Sequence, residues 1–253
     1  MIATPFSLSY INEYIEKILD VGDWRECPTD DAKALSQLHA IDEAGTPAGS
    51  VRLWQAPNDL PLDRMIHMRL IAGPVETQLL FVFGLTTSTM PHLHLQIVQF
   101  PPEGCVYNVD LLPRVDPVDD PAWFERVFNS LRRPYRKATA DANNSCAQGP
   151  ANPALAVYMS PWGIASGRAD KGELDRVRPC IDDYLSHYIS LARESDWIAA
   201  DPAAMADRDR RHLEIFFGDE LDPRAWNGVY KVIGEERGKQ IKELFKTPLK
   251  APG

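Results

Sequence analysis

Residues 64–112 have the sequence RMIHMRLIAGPVETQLLFVFGLTTSTMPHLHLQIVQFPPEGCVYNVDLL, in which short apolar segments alternate with turn residues. With the residues that precede them, these segments predict strands at 34–40, 49–56, 64–71, 77–83, 91–99 and 105–112. The turns between them are shorter than the roughly twelve residues that a parallel crossover needs. The sequence therefore predicts a mostly antiparallel sheet.

Helical periodicity replaces the strand pattern on both sides of this region. Ile11, Tyr14, Ile15 and Ile18 recur on one helix face and predict a helix over residues 8–20. Pro179 is expected to bend or start one of the later helices. The later elements predicted are one strand at 154–164 and helices at 119–137, 172–195, 202–217 and 224–246. An antiparallel sheet followed by helices predicts an α+β fold with helices packed on the faces of the sheet.

The overall composition limits the class of protein. The chain has 253 residues, a formal net charge of −9 and no Gly/Ser-rich linker, so we expect a single domain over residues 1–253 that does not bind nucleic acid. No apolar run approaches the roughly 18 residues of a membrane span, and the N-terminus lacks the pattern of a signal peptide. The cysteines are scattered without metal-binding or disulfide spacing, which favours a reducing cytoplasm over a membrane or secreted location.

The segment HLHLQ at 92–96 is the strongest local chemical feature. Side chains alternate between the faces of a strand, so His92, His94 and Gln96 share one face while leucines occupy the other. His67 and Arg69 show the same alternation on an earlier strand. A sheet with one face in solvent would explain both patterns. The alternative is a polar ligand-binding face beneath a layer of helices.

Two histidines in a His-x-His pattern are also typical of a metal site, but such a site needs a third ligand, and His67 is the only other histidine nearby in sequence. The chain has no glycine-rich phosphate loop of the Walker or Rossmann type and no GxSxG nucleophile motif. These absences argue against a self-contained nicotinamide-dependent dehydrogenase and against a serine hydrolase. We therefore predict a pocket with protonatable groups and no bound metal.

Two stretches of the chain resemble a known superfamily. LLFVFGLTTSTMPHLHLQIVQFPPEGCVYNVDLLPRVD at 79–116 resembles the red chlorophyll catabolite reductases and, more distantly, the ferredoxin-dependent bilin reductases. LDPRAWNGVYKVIGEERGKQIKELF at 221–245 resembles the segment of these enzymes that joins an Asp-Pro to the last helix. The two stretches occur in the order that the superfamily has.

The resemblance implies a three-layer α/β/α sandwich with a central, mostly antiparallel sheet. It also implies that a linear tetrapyrrole lies between the sheet and the C-terminal helices. Enzymes of this superfamily use no tightly bound cofactor. Reduced ferredoxin delivers single electrons to the tetrapyrrole, and side chains supply the protons.

The resemblance also implies which residues of this chain occupy the catalytic positions of the superfamily. The sheet carboxylate of the superfamily falls on Gln96, which cannot donate a proton as an acid does, so the usual first proton transfer is in doubt. The C-terminal aspartate of the superfamily matches Asp222. Asp222 before Pro223 is also a standard helix N-cap, and the two roles are compatible. His94 is the next candidate donor, since imidazolium is available near neutral pH.

Several further residues are candidates for contact with the substrate or with ferredoxin. The substrate-binding candidates are His92, His67, Arg69, Arg114, Arg168 and Trp226, where the arginines would hold the propionates because guanidinium groups match carboxylates. Ferredoxin is acidic, so its dock should be basic. One basic face is predicted at Lys239, Lys242 and Lys246, and a second cluster comprises Arg132, Arg133, Arg136 and Lys137. Each set is equally typical of a solvated surface.

The sequence thus predicts an oxidoreductase that reduces CH–CH or methine double bonds of biliverdin or a close relative with electrons from ferredoxin. The alternatives are a reductase of a red chlorophyll catabolite and a tetrapyrrole-binding protein without turnover. Gln96 in place of the carboxylate favours the latter. A His-x-His metalloenzyme is the remaining alternative.

Overall fold

The computed structural model describes residues 5–29, 35–148 and 153–250. The strands are β1 (Arg25–Cys27), β2 (Leu38–His39), β3 (Pro47–Gln55), β4 (Leu62–Ala72), β5 (Val75–Gly84), β6 (His92–Phe100), β7 (Gly104–Leu112) and β8 (Ile164–Asp170). The helices are α1 (Phe6–Leu19), α2 (Pro121–Phe128), α3 (Arg132–Thr139), α4 (Pro153–Ala156), α5 (Lys171–Ala192), α6 (Pro202–Phe216), α7 (Pro223–Ile233) and α8 (Glu235–Lys246).

All strands belong to one sheet in the order β1-β3-β4-β5-β6-β7-β8, and β2 pairs with β3 at one side. Every described strand pair is antiparallel, as the short turns predict. The predicted strand at 34–40 is reduced to β2, and residue 34 lies outside the described residues. The central strands β4, β5 and β6 are therefore covered on both edges by neighbouring strands.

Helices cover both faces of the sheet, so the predicted three-layer α/β/α sandwich is confirmed. On one face, Leu80, Leu95 and Ile97 pack with residues of α1, α2 and α5. On the other face, Phe81 and Phe83 pack with residues of α6, α7 and α8. The largely apolar cleft of the candidate site lies on this second face. None of the described helices is long and apolar enough to cross a membrane.

An Asp-Pro pair starts three of the helices. Asp120, Asp201 and Asp222 each cap a helix by accepting a hydrogen bond from a backbone N–H one turn into α2, α6 and α7, with proline at the first helical position. The carboxylate satisfies an N–H that the helix leaves free, and proline has the φ angle that the first turn needs. The capping role expected for Asp222 is confirmed.

Three sequence-based assignments are wrong in detail. The strand predicted at 154–164 is instead the short helix α4 followed by a loop, and β8 begins only at Ile164. The helix predicted at 224–246 is divided into α7 and α8 at Gly234, whose φ of 91° is accessible to glycine but strained for other residues. The helix predicted at 119–137 is likewise two helices, α2 and α3, separated by a 3-10 turn at Asn129–Leu131.

Candidate functional site

A cleft of about 320 Å³ separates the sheet from the C-terminal helices. This volume is at the lower end of the range of small-molecule sites. Strands β4, β5 and β6 form the floor of the cleft with Met68, Leu70, Thr77, Leu79, Phe81, His94, Gln96 and Val98. The opposite wall comes from the end of α6 and the first turns of α7, mainly Phe216, Phe217, Asp222, Arg224, Trp226 and Val229. The cleft is therefore mostly apolar and aromatic, with a few polar groups at defined positions.

His94 lies on the floor of this cleft. Its ring stacks on Phe81 with 4.5 Å between the centroids, and the edge of Phe216 approaches at 5.8 Å. Burial lowers the pKa of His94 to about 3, so the imidazole is neutral near pH 7. The expectation that His94 is available as imidazolium near neutral pH is therefore wrong. Within the described part of the chain, the buried Nδ1 of His94 has no hydrogen-bond partner.

Gln96 lies next to His94 on the same face, as the alternation in HLHLQ predicts. Its cross-strand partners are Leu79 on β5 and Asn108 on β7. Oδ1 of Asn108 is buried and has no hydrogen-bond partner among the described residues. Gln96 therefore adds neutral hydrogen-bonding capacity to the floor, but no acid, and Asn108 lies beside it outside the cleft lining.

Asp110 on β7 is a buried carboxyl that the sequence analysis missed. It is the direct cross-strand partner of His94, so both side chains leave the sheet on the same face. Ser160 donates to Asp110 twice, from its backbone N–H at 2.7 Å and from its hydroxyl. Burial raises the pKa of Asp110 to about 7. The alternation of polar Asn108 and Asp110 with apolar Tyr107 and Val109 is the signal that could have identified it.

His92 and Arg114, which the sequence proposed as substrate ligands, instead belong to a buried ionic network. Nε2 of His92 lies 2.8 Å from Oδ1 of Asp209 on α6, and Nη2 of Arg114 lies 3.0 Å from the same oxygen. The backbone N–H of Gly84 donates to Nδ1 of His92, so the ring proton is on Nε2 and points to Asp209. Burial lowers the pKa of His92 to about 4. Neither His92 nor Arg114 lines the cleft.

The proposed substrate ligands His67 and Arg69 are on the wrong face of the sheet. His67 pairs with Leu80 on β5 and Leu80 pairs with Leu95 on β6, so His67 points away from the His94 face. His67 contacts Gln78 at 2.8 Å, and Arg69 donates two hydrogen bonds to Glu76 at 3.0 and 3.1 Å. Their role is therefore to satisfy polar groups on the other side of the sheet.

Arg168, the third arginine proposed to hold a propionate, is exposed on β8 and does not line the cleft. Among the described residues, Arg224 on α7 is the arginine that does. Trp226 and Asp222 line the wall as the sequence predicts, and Asp222 accepts from the N–H of Ala225 at 3.2 Å. The polar side chains that line the cleft are therefore those of Thr77, His94, Gln96, Asp222 and Arg224.

The lysines proposed as a ferredoxin dock do not form one free basic face. Lys242 is buried with 4% of its surface exposed, pairs with Asp219, and lies over the ring of Trp226 at 4.6 Å. Lys239 and Lys246 pair with Glu235 and Glu243 on their own helix. The cation at Lys242 therefore stabilises the packing of α7 against α8, and its assignment to a dock is wrong. In the second cluster, Arg133, Arg136 and Lys137 are exposed on α3, and Arg132 pairs with Glu125.

The alternative of a metal site at the His-x-His pattern of His92 and His94 requires a third ligand close to both. In the part of the chain that the structure describes, no three His, Cys, Asp or Glu side chains come together as a metal ion would require.

Known proteins are similar to this chain in fold and, over part of its length, in sequence. No family model matches the chain. The chain is 24% identical over 152 residues to red chlorophyll catabolite reductase 1, chloroplastic, of Oryza sativa subsp. japonica. This match covers 53% of the chain but only 44% of the length of that protein.

The fold is similar to that in a crystal structure of phytochromobilin synthase from tomato in complex with biliverdin. The TM-score is 0.76 at 13% sequence identity, and the similarity covers 94% of this chain and 82% of the tomato chain. The resemblance inferred from residues 79–116 and 221–245 is therefore confirmed: the chain has the fold of phytochromobilin synthase, and part of it is similar in sequence to a red chlorophyll catabolite reductase.

Proposed function

We propose that this protein binds biliverdin or a closely related linear tetrapyrrole in the cleft and reduces one of its double bonds with electrons from reduced ferredoxin. The main observation is the apolar cleft between the sheet and the C-terminal helices, with His94 and Gln96 on its floor and Asp222 on the opposite wall. The tomato protein of the same fold is in complex with biliverdin.

The cleft suits a flat conjugated ligand. Burial of a large apolar surface is favourable, and the rings of Phe81, Phe216 and Trp226 provide aromatic surface on both sides. A volume of about 320 Å³ encloses only part of a tetrapyrrole, so the two propionates would remain at the open side. There the exposed guanidinium of Arg224 is placed to pair with a carboxylate.

Reduction of one double bond takes two electrons and two protons. Each reduced ferredoxin supplies one electron and is oxidised, and the protein directs the protons to the tetrapyrrole. Gln96 is suited to bind the polar edge of the ligand but not to protonate it. Asp222 reaches the ligand from the helical side and is the proposed donor on that face. Neutral His94 can transfer a proton only when another group delivers one.

Two other functions remain as alternatives. Similarity to a red chlorophyll catabolite reductase over 152 residues supports a chlorophyll-derived substrate. The amide of Gln96 on the floor supports a tetrapyrrole-binding protein without turnover. Binding alone does not separate the three, because each requires the cleft.

The test is an anaerobic assay with biliverdin, ferredoxin, a ferredoxin reductase and a source of reducing equivalents, followed by absorbance and product chromatography. We expect biliverdin to bind with micromolar or better affinity, with a changed visible spectrum, and to be converted to a reduced bilin. Binding without conversion would leave the carrier function. If a red chlorophyll catabolite is reduced and biliverdin is not, the first alternative is correct. An unchanged biliverdin spectrum at high protein concentration would refute the cleft as a bilin site.

The role of Asp222 has a matched control in Asp201, which caps α6 with the same Asp-Pro arrangement but lies outside the cleft. Asp222→Asn and Asp201→Asn each retain a capping oxygen, so both variants should fold. We expect only Asp222→Asn to stop at a radical or partly reduced bilin. Equal rates for the two variants would show that Asp222 is a helix cap alone.

A further inference from the structure

The outer side of α3 carries a group of cations without acidic partners. Arg133, Arg136 and Lys137 lie three and four residues apart, so their side chains leave the helix on one side, and all three are exposed. Among the described residues none of the three forms an ion pair, whereas Arg132 beside them pairs with Glu125 at 2.6 Å. We call Arg133, Arg136 and Lys137 the α3 basic face. In a chain with a net charge of −9, this face is a local excess of positive charge.

Basic residues on α6 and α8 are neutralised within their own helices. On α6, Arg210 and Arg211 pair with Asp207, and on α8, Lys239 pairs with Glu235. The sequence of α3 contains no acidic residue, so no acid of the same helix neutralises its cations. An acidic partner is attracted by unneutralised charge, so α3 suits such a partner better than α6 or α8 does.

The stability of α3 does not explain the arrangement of its cations. Arg136 and Lys137 are in the last turn, where the negative end of the helix dipole favours a cation. Arg133 is in the first turn, where the positive end of the dipole disfavours one. Like charges three and four residues apart also repel each other. The α3 basic face therefore destabilises its own helix, as is expected of a surface that serves binding.

Trp162 lies between the start of α3 and the sheet. The guanidinium of Arg132 is 6.0 Å from the centre of the Trp162 ring, and this ring stacks on Phe128 of α2 with 5.5 Å between the centroids. The backbone N–H of Trp162 donates to the hydroxyl of Ser160 at 3.1 Å, and the backbone N–H of Ser160 donates to Asp110 of β7 at 2.7 Å. A series of direct contacts therefore joins the start of α3 to a strand of the sheet.

The segment that contains Trp162 connects the two faces of the sheet. Leu155 lines the cleft and packs with the apolar residues of the cleft face. Trp162 packs with the hydrophobic residues of the opposite face, and β8 begins directly afterwards at Ile164. Residues 155–162 therefore pass from the cleft to the α3 side at the start of β8. A protein bound on the α3 basic face would be separated from the end of the cleft by this one segment.

We infer that the α3 basic face is the surface on which acidic ferredoxin docks to deliver electrons to the cleft. The inference rests on the proposed function and assigns a surface to its electron donor. One reduced ferredoxin gives one electron to the bound tetrapyrrole, becomes oxidised and dissociates. A second reduced ferredoxin gives the second electron in the same way, and two protons from the protein complete the reduction of one double bond.

The experiment measures the dissociation constant of ferredoxin from the biliverdin-bound protein and the KM for ferredoxin in the anaerobic assay. The test variant is Arg133→Gln/Arg136→Gln, since glutamine is a good helix former and removes both charges. The matched control is Arg210→Gln/Arg211→Gln, which removes two exposed arginines from α6. We expect the α3 variant to raise both constants about 10-fold at low salt and the α6 control to stay within about 2-fold of wild type.

Two further measurements separate docking from a merely structural role. The maximal rate at saturating ferredoxin and the spectrum of bound biliverdin should be the same in the α3 variant and in wild type, because neither depends on how ferredoxin is captured. Salt should weaken the binding of ferredoxin to wild type, and less steeply to the α3 variant, because salt screens attraction between exposed charges.

Wild-type dissociation and KM constants for ferredoxin in the α3 variant would overturn the inference and leave the proposed function intact. The inference is also wrong if the α6 control weakens ferredoxin binding as much as the α3 variant does. If the wild-type protein binds ferredoxin but does not reduce biliverdin, the proposed function fails, and the dissociation constants of the two variants still decide where ferredoxin docks. If ferredoxin does not bind the wild-type protein, both are wrong.

Discussion

The buried ion pair between Asp209 and Arg114 provides a quantitative test of what holds α6 on the sheet. Arg114 is fully buried, and its guanidinium donates to the carbonyls of Leu85, Thr86 and Met90 in addition to its contact with Asp209. In Asp209→Asn the guanidinium stays charged, because arginine does not lose its proton in proteins, but its counter-charge is gone. Breaking a buried pair on one side lowers the free energy of unfolding by about 3–5 kcal/mol.

The assay is urea unfolding at pH 7 with linear extrapolation to water. Asp207→Asn is the matched control, since Asp207 precedes Asp209 on the same helix but forms exposed pairs with Arg210 and Arg211. Exposed pairs contribute little, so this variant should unfold as the wild type does. If the two variants lose the same free energy of unfolding, the charge of α6 in general, and not the buried pair, holds this helix on the sheet.

The loss of stability in Asp209→Asn should also depend on pH in a defined direction. Burial alone would raise the pKa of Asp209, but Arg114 and His92 outweigh this effect and hold it well below its usual range. The contribution of the carboxylate to stability is therefore fully present above its unfolded pKa of 3.8 and is lost as the pH falls further. The difference between wild type and Asp209→Asn should shrink only below about pH 4.

Three further predictions concern other positions. Burial raises the pKa of Asp110 from 3.8 to about 7, so the folded protein holds this proton over a pH range in which the unfolded chain has lost it. The free energy of unfolding of wild type relative to Asp110→Asn should therefore fall by up to about 4 kcal/mol between pH 4 and 7. Urea unfolding at each pH measures this difference. Gly234→Ala should lower the free energy of unfolding by about 1–3 kcal/mol, because φ at this residue is 91°. Gly228→Ala should raise it by about 0.5–1 kcal/mol, because a side chain at this position of α7 would enter open space. Thermal unfolding of the two variants measures the difference. Gln96→Glu should increase the rate of biliverdin reduction about 10-fold by restoring an acid to the floor, and an unchanged or lower rate in the anaerobic assay would contradict this.

The strands were predictable because their signal is local. Alternation along β4 to β7 and the short turns between them are contained in residues 62–112, and the antiparallel pairing follows from turn length alone. The boundaries failed where local signals conflict. Residues 154–164 are rich in strand-forming side chains but begin with the helical turn α4, whereas β8 contains Ser166, Gly167 and Arg168, which are poor strand formers or exposed.

The site was predictable along one strand but not between strands. His94 and Gln96 share a face because side chains of one strand alternate, and the structure agrees. Whether His67 shares that face depends on the register of two successive strand pairs, and a shift by one residue moves a whole strand's side chains to the other side. The partner of His92 is Asp209, which is 117 residues away, so no local pattern indicates that His92 is structural.

The distribution of charge around the cleft explains why the proposed chemistry depends on proton supply. Arg114 and Asp209 neutralise each other in the buried network away from the cleft lining. The polar side chains of the described floor are the uncharged ones of Thr77, His94 and Gln96, whereas Asp222 and Arg224 lie on the opposite wall. A low-dielectric floor without a cation stabilises an added electron poorly, so the ligand becomes more basic when it is reduced. Uptake of each electron is then favourable only together with a proton.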